Sequence, residues 1–116
     1  LAAGKVVIIC GGTGHPFFTT DTAAVLRALE ISADAVLKAT DVDGVYEDNP
    51  KENPDAKMYD EVSFEEVISK NLKVMDATAF ALAKENELPI IVFNFSKPQA
   101  FADALSGKPI GTFVYP

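Results

Sequence analysis

The residues best suited to chemistry lie close together near the start of the chain, in the run Gly11-Gly12-Thr13-Gly14-His15-Pro16-Phe17-Phe18-Thr19-Thr20-Asp21. Gly11, Gly12 and Gly14 tolerate positive φ and let the backbone come close to a ligand. Thr13, Thr19 and Thr20 add hydroxyl donors, and a helix opening near Thr20 would offer unpaired N–H groups and a partial positive charge. Together these features suit a phosphate or another anion. Asp21 cannot hold an anion itself; a carboxylate at that place would fix a lysine or a magnesium ion beside phosphates. The alternative is a glycine turn closed by a threonine cap, with no ligand. The spacing contains neither Gly-x-x-x-x-Gly-Lys-Ser/Thr nor Gly-x-Gly-x-x-Gly, so two common nucleotide loops are excluded.

The elements that must position this run follow from patterning. Lys5 to Cys10 is a continuous apolar, β-branched stretch, which predicts a strand covered on both faces. Apolar positions recur at helical spacing from Thr22 to Ile31, with Arg27 and Glu30 on the wet side and Thr20 or Asp21 as the cap. Ala35 to Ala39 predicts a second strand, Val42 to Tyr46 a turn around Asp43-Gly44, and Asp48 to Lys57, with its two Asn-Pro pairs, a loop. Ser63 and Glu66 form a capping-box signature for a helix over Phe64 to Ser69. A stronger helix is expected from Asp76 to Glu87, a strand over Ile90 to Phe95, a short helix over Gln99 to Leu105 closed by Gly107, and a last strand over Gly111 to Tyr115. The order β-α-β-loop-α-α-β-α-β predicts an α/β fold, a three-layer αβα sandwich on a mostly parallel sheet. In such sheets ligands sit beyond the carboxyl ends of the strands. The Gly11–Asp21 and Thr40–Asn49 loops are therefore expected along one edge.

Composition narrows the function classes. A chain of 116 residues that is 48% apolar can bury one modest core. A net charge of −7 disfavours non-specific binding of DNA or RNA, although a mononucleotide can still be held locally by amides and a few lysines. No stretch reaches the roughly 18 apolar residues of a membrane span, and no secretory pattern opens the chain; a cytoplasmic protein is expected. Cys10 has no cysteine to pair with and is expected to be a buried, inert thiol. One cysteine and one histidine are too few soft ligands for a structural zinc site.

The run from Gly11 to Ala24 resembles the acceptor-nucleotide loop of bacterial uridylate (UMP) kinases, members of the amino acid kinase superfamily. Lys38-Ala39-Thr40-Asp41-Val42-Asp43-Gly44-Val45-Tyr46 resembles the ATP-side segment of the same enzymes, and Asn71 to Ala79 and Leu88 to Asn94 are similar to two more of their segments. The resemblance covers essentially all 116 residues but only the carboxyl half of that family. Residues 1–116 are thus expected to be the carboxyl-terminal part of a single amino acid kinase domain, with the amino-terminal half absent. The Thr40–Tyr46 motif is shared across the superfamily; the Gly-Thr-Gly loop and the Lys73-Val74-Met75-Asp76 segment are more specific.

The resemblance implies transfer of the γ-phosphoryl of MgATP to UMP, giving UDP and ADP. It implies that Thr13, Gly14, His15, Pro16, Phe17, Phe18, Thr19 and Thr20 line the UMP site, with Thr19 and Thr20 nearest the phosphate. Asp21 matches the catalytic aspartate, which orients a phosphate-binding lysine of the preceding half. Thr40 and Tyr46 would contact ATP near its base and ribose; Asn49 stands where the family usually has aspartate, and His15 where it usually has asparagine. A hexamer, GTP and UTP as effectors, and Mg2+ brought with ATP are further implications. Without the preceding lysine the chain is expected to be catalytically incomplete. Two other readings stand beside this one: a superfamily member acting on aspartate or glutamate, and a non-catalytic nucleotide-binding or assembly segment.

Several residues carry two readings from their surroundings alone. Lys38 reaches a phosphate or packs its stem with its head in solvent. Asp76 is a helix cap or has an indirect role at the site. Phe17 and Phe18 flank a base or serve as core or subunit contacts. Asp41, Asp43, Glu47 and Asp48 lack the glycine and glutamate placement of an EF-hand and read as solvated turn chemistry.

Overall fold

A computed structural model describes all 116 residues. The elements are α1 (Thr20–Glu30), β1 (Val36–Thr40), β2 (Glu61–Ser63), α2 (Phe64–Ser69), α3 (Ala77–Glu85), β3 (Ile90–Asn94), α4 (Ala100–Leu105) and β4 (Thr112–Tyr115). They build a four-stranded sheet in the order β1-β3-β4-β2. The outer pairs are parallel and the central pair β3–β4 is antiparallel. Thr40 lies opposite Asn94, so β1 and β3 end side by side at one edge.

Strand alternation sorts the side chains into two cores. Val36, Ile90 and Val92 face one side, where Val25 and Ala28 of α1, Phe64 and Val67 of α2, and Ala79 and Ala83 of α3 cover them. On the other side Phe93 is buried against Ala100 and Ala104 of α4, with Leu37 and Ile110 beside them. The result is the expected α/β sandwich, with one helical layer much thicker than the other. None of its helices is long and apolar enough to cross a membrane.

One strand expectation is corrected, and one strand forms where none was expected. Lys5 to Cys10 forms no strand and makes no backbone hydrogen bond. Val6 is 93% and Ile8 86% exposed, and Cys10 is an exposed thiol rather than a buried one. β-branched residues favour a strand only where a pleated surface can pack them, and no strand of this chain pairs with this run. Conversely, Glu61–Ser63 pairs with β4 although nothing in its three residues marks a strand; it is held by its register with Phe113–Tyr115. The Ser63 cap forms, its Oγ accepting from the Glu66 amide at 3.1 Å. The Glu66 carboxylate instead pairs with Lys70 at 2.5 Å, so the capping box is half made.

Candidate functional site

The starts of α1 and α3 meet through their caps. Thr19, one residue before the expected position, caps α1: its Oγ1 accepts from the Thr22 amide at 3.4 Å. The same hydroxyl donates to Oδ2 of Asp76. Asp76 caps α3, its Oδ1 accepting from the Ala79 amide at 2.9 Å. Burial pushes the Asp76 carboxyl up, but hydrogen bonds from the Thr19 hydroxyl and then the Ala79 and Thr78 amides outweigh it and hold the group below 3.8. The capping reading of Asp76 is therefore correct, and the cap also links the two helices.

Asp21, in the first turn of α1, sits inside this junction. Its Oδ2 accepts from Lys38 Nζ at 2.9 Å and from the Asp76 amide at 3.2 Å. Lys38 stands on β1 two residues after Val36, so alternation sends it to the face covered by α1 and α3. Lys38 thus engages a carboxylate inside the chain. The amides of Thr20 and Asp21 donate to no protein acceptor, leaving the α1 N-terminus open to an anion.

Beside this junction lies a cleft of about 680 Å3, within the size range of small-molecule sites. Thr13, His15 and Phe18 line it from the glycine loop, Thr22 and Leu26 from α1, and Thr78, Leu82 and Glu85 from α3. The structure so gathers three of the expected acceptor residues on the cleft, whereas Thr19 is taken up in capping α1 and does not line it. Gly14 and Pro16 form the exposed turn, and Thr20 is exposed in the first helical turn. Phe17 is fully exposed with a left-handed φ of 70° and does not line the cleft. Neither Phe17 nor the half-exposed Phe18 is a core residue. The contribution of α3 escapes local reading; its only signal is the helical spacing of positions 78, 82 and 85, which puts them on one stripe.

The second expected loop lies at the joint end of β1 and β3. Thr40 closes β1, its hydroxyl 3.4 Å from Asp41 Oδ1. Asn94 donates through Nδ2 to Asp43 Oδ1 at 3.0 Å and to the Asp41 carbonyl at 3.4 Å. Lys97 Nζ reaches the same Asp43 oxygen at 3.0 Å. Asn94 first and Lys97 second hold the Asp43 carboxyl below its ordinary value. These groups line a smaller cavity of about 230 Å3 that Thr40, Tyr46 and Asn49 do not line. Tyr46 pairs in an antiparallel bridge with Met58. Asn49 is exposed in a turn, its Oδ1 accepting from the Lys51 amide at 3.1 Å. Asn94 and Lys97 were not expected here; their signal is position alone, at and just after a strand's carboxyl end.

An α/β sheet with a helix start open to an anion, a carboxylate fixed beside it and a cleft of small-molecule size defines a class of ligand-handling domain. The chain belongs to the amino acid kinase family, whose model matches residues 1–94. It is 57% identical to a uridylate kinase of Aeromonas salmonicida over 115 residues, covering 99% of this chain and 47% of that protein. A chloroplastic uridylate kinase of Arabidopsis thaliana is 54% identical over 98% of this chain and 34% of its own length. Among solved structures, a UMP kinase of Bacillus anthracis superposes with a TM-score of 0.84 at 42% identity, covering 90% of this chain and 43% of that one. The chain spans about half the length or less of the curated relatives it matches.

Proposed function

We propose that this chain is the carboxyl-terminal part of a uridylate kinase, an enzyme that moves the γ-phosphoryl of MgATP to UMP. The observation that carries the reading is Asp21, held by Lys38 and the Asp76 amide at the open start of α1, beside a cleft lined by Thr13, His15 and Phe18. The similarity to uridylate kinases across this whole segment supports the acceptor. Phosphoryl transfer of this kind uses no protein nucleophile; positioning and charge stabilisation do the work. The Thr20 and Asp21 amides and the Thr20 hydroxyl steady the acceptor phosphate, while the Thr19 hydroxyl, whose one proton goes to Asp76, holds the helix start in place. Asp21 orients a cation beside it, and Thr40, Tyr46 and Asn49 serve the ATP side. A magnesium ion carried on the nucleotide phosphates would neutralise charge there with few protein ligands. The setting is cytoplasmic and the assembly a hexamer.

In the full-length enzyme Asp21→Asn should lower kcat by about 100-fold or more while leaving most UMP affinity intact. Turnover near wild type would sink the role given to Asp21. Calorimetry with UMP, CMP, aspartate and glutamate separates the acceptors, and preference for an amino acid would redirect the assignment. The 116-residue chain alone should yield no UDP, and clear formation would refute its incompleteness. A second reading, an assembly segment without chemistry, draws on the exposed Val6–Ile9 run. Light scattering beside nucleotide titration tells association from binding.

A further inference from the structure

We propose that Lys38 is a positioning residue for Asp21, the internal counter-charge that fixes the carboxylate so that Oδ1 alone is offered to the reacting partners. This rests on the uridylate kinase reading and gives the Lys38 contact a part in the chemical step. Of the five ion pairs in the chain, Lys38–Asp21 is the least exposed, its side chains 25% and 27% exposed. The cation of each other pair is 35% to 64% exposed. Exposed pairs of that kind contribute little and are screened by salt, whereas a partly buried pair keeps more of its attraction.

The geometry separates a positioning role from a surface contact. Two donors from different elements, Lys38 Nζ on β1 and the Asp76 amide at the start of α3, converge on the same oxygen, Oδ2. A carboxylate so held cannot rotate without losing both bonds, and its other oxygen accepts no protein hydrogen bond. β1 is an edge strand, but it is paired with β3 along its whole length and Val36 is buried in the core shared with α1, so the lysine's backbone is anchored to the sheet. Asp21 therefore has its orientation set before any ligand arrives. Pre-set orientation of this sort affects the chemical step more than binding, since misplacement of a group by about 1 Å can cost about 100-fold in rate.

The test is steady-state kinetics of the full-length kinase with four forms: wild type, Lys38→Met, Asp21→Asn and the double variant. Lys38→Met should lower kcat by about 10- to 100-fold with the KM for UMP within a factor of about three, and Lys38→Arg should restore part of the loss because it keeps the charge. Added to Asp21→Asn, Lys38→Met should cost less than about twofold more, because its partner is already neutral; this is the non-additivity of groups that act as a unit. The double variant also leaves no unpaired, partly buried charge, so it folds where Lys38→Met alone fails to, and then the Lys38→Arg and double-variant rates decide. Multiplying losses would mean that Lys38 acts on the substrate directly and would overturn the proposal, as would an unchanged kcat in Lys38→Met. A wild-type enzyme inactive on UMP removes the kinase reading and this inference together. An active wild type with additive variants removes the inference alone.

Discussion

The two loops expected to carry the nucleotides are held in opposite ways. The 40–49 loop is tied to the body of the fold. The buried Thr112 hydroxyl accepts from the Val45 amide at 2.8 Å and donates to the Tyr59 carbonyl at 2.5 Å. Asn94 grips Asp43 and the Asp41 carbonyl, and Gly44 is pressed against Thr112 and Met58. The 11–18 loop, by contrast, bonds mainly to itself: the Thr13 hydroxyl takes the His15 amide at 3.1 Å, and Gly14 bonds back to Gly11 at 3.3 Å. Its firm attachment comes at Thr19, where the helix begins. One loop is a product of the core, so its shape is fixed by folding. The other is a surface presented by a helix start, whose groups the scaffold positions but does not enclose.

That contrast breaks most readily at Gly44. A Cβ there would stand 2.4 Å from Thr112 Oγ1 and 2.9 Å from Met58 Sδ. Thr112 is hydrogen-bonded on both sides and cannot move without freeing Val45. Gly44→Ala should therefore destabilise the chain by about 2 to 3 kcal/mol, read as a shift in the urea midpoint. A change under half a kilocalorie, on the order of ordinary surface substitutions, would mean the loop is not tied as described. Thr112→Val keeps the shape but strands the buried Val45 amide, and should cost about 1 to 3 kcal/mol. Hydrogen exchange supplies the local check: Val45 should lose protection more than the amides of α1.

The difference between the loops also explains what the sequence could and could not disclose. α2 and α3 were legible because their caps are local: Ser63 and Asp76 bond amides three residues ahead. The Asp21 network was only half legible. Its acid stood out, but its partners lie 17 and 55 residues away, and only the packing of β1 and α3 against α1 brings them in. Thr112 carried no signal, since a threonine in a strand reads as ordinary β-propensity. The failed expectation at Lys5–Cys10 has the same origin in reverse: its pattern was right for a strand, but pairing is not a local property.

Acid sharpens the comparison. Asp43 in the anchored loop and Asp76 at the helix junction are both held below the ordinary aspartate value of 3.8. A lowered folded value means stability that is complete above 3.8 and is lost as pH falls through the folded values, where the unfolded chain binds more protons. Melting temperature should therefore drop as pH falls below 3.8, and Asp43→Asn should flatten part of that slope. An unchanged slope in the variant would show that Asn94 and Lys97 do not hold the Asp43 charge. Asp76→Ala should flatten it as well, and should cost about 1 kcal/mol at neutral pH through loss of the α3 cap.

The smallest effects on stability should come from the 11–18 loop itself, which is the sharpest form of the contrast. His15 and Phe18 line the cleft but are exposed, and Phe17 touches neither core. Substituting any of the three with alanine should leave stability within about 0.5 kcal/mol of wild type. The functional outcome should split: His15→Ala and Phe18→Ala should weaken UMP binding by the full-length kinase, while Phe17→Ala should not, because its side chain lies outside the cleft. Isothermal titration beside urea unfolding reads both quantities on the same samples. If His15→Ala and Phe18→Ala bound UMP as wild type does, the cleft between the glycine loop, α1 and α3 would not be the acceptor site, whatever the stability data showed. If they lost stability comparably to Gly44→Ala, the 11–18 loop would be anchored to the core after all.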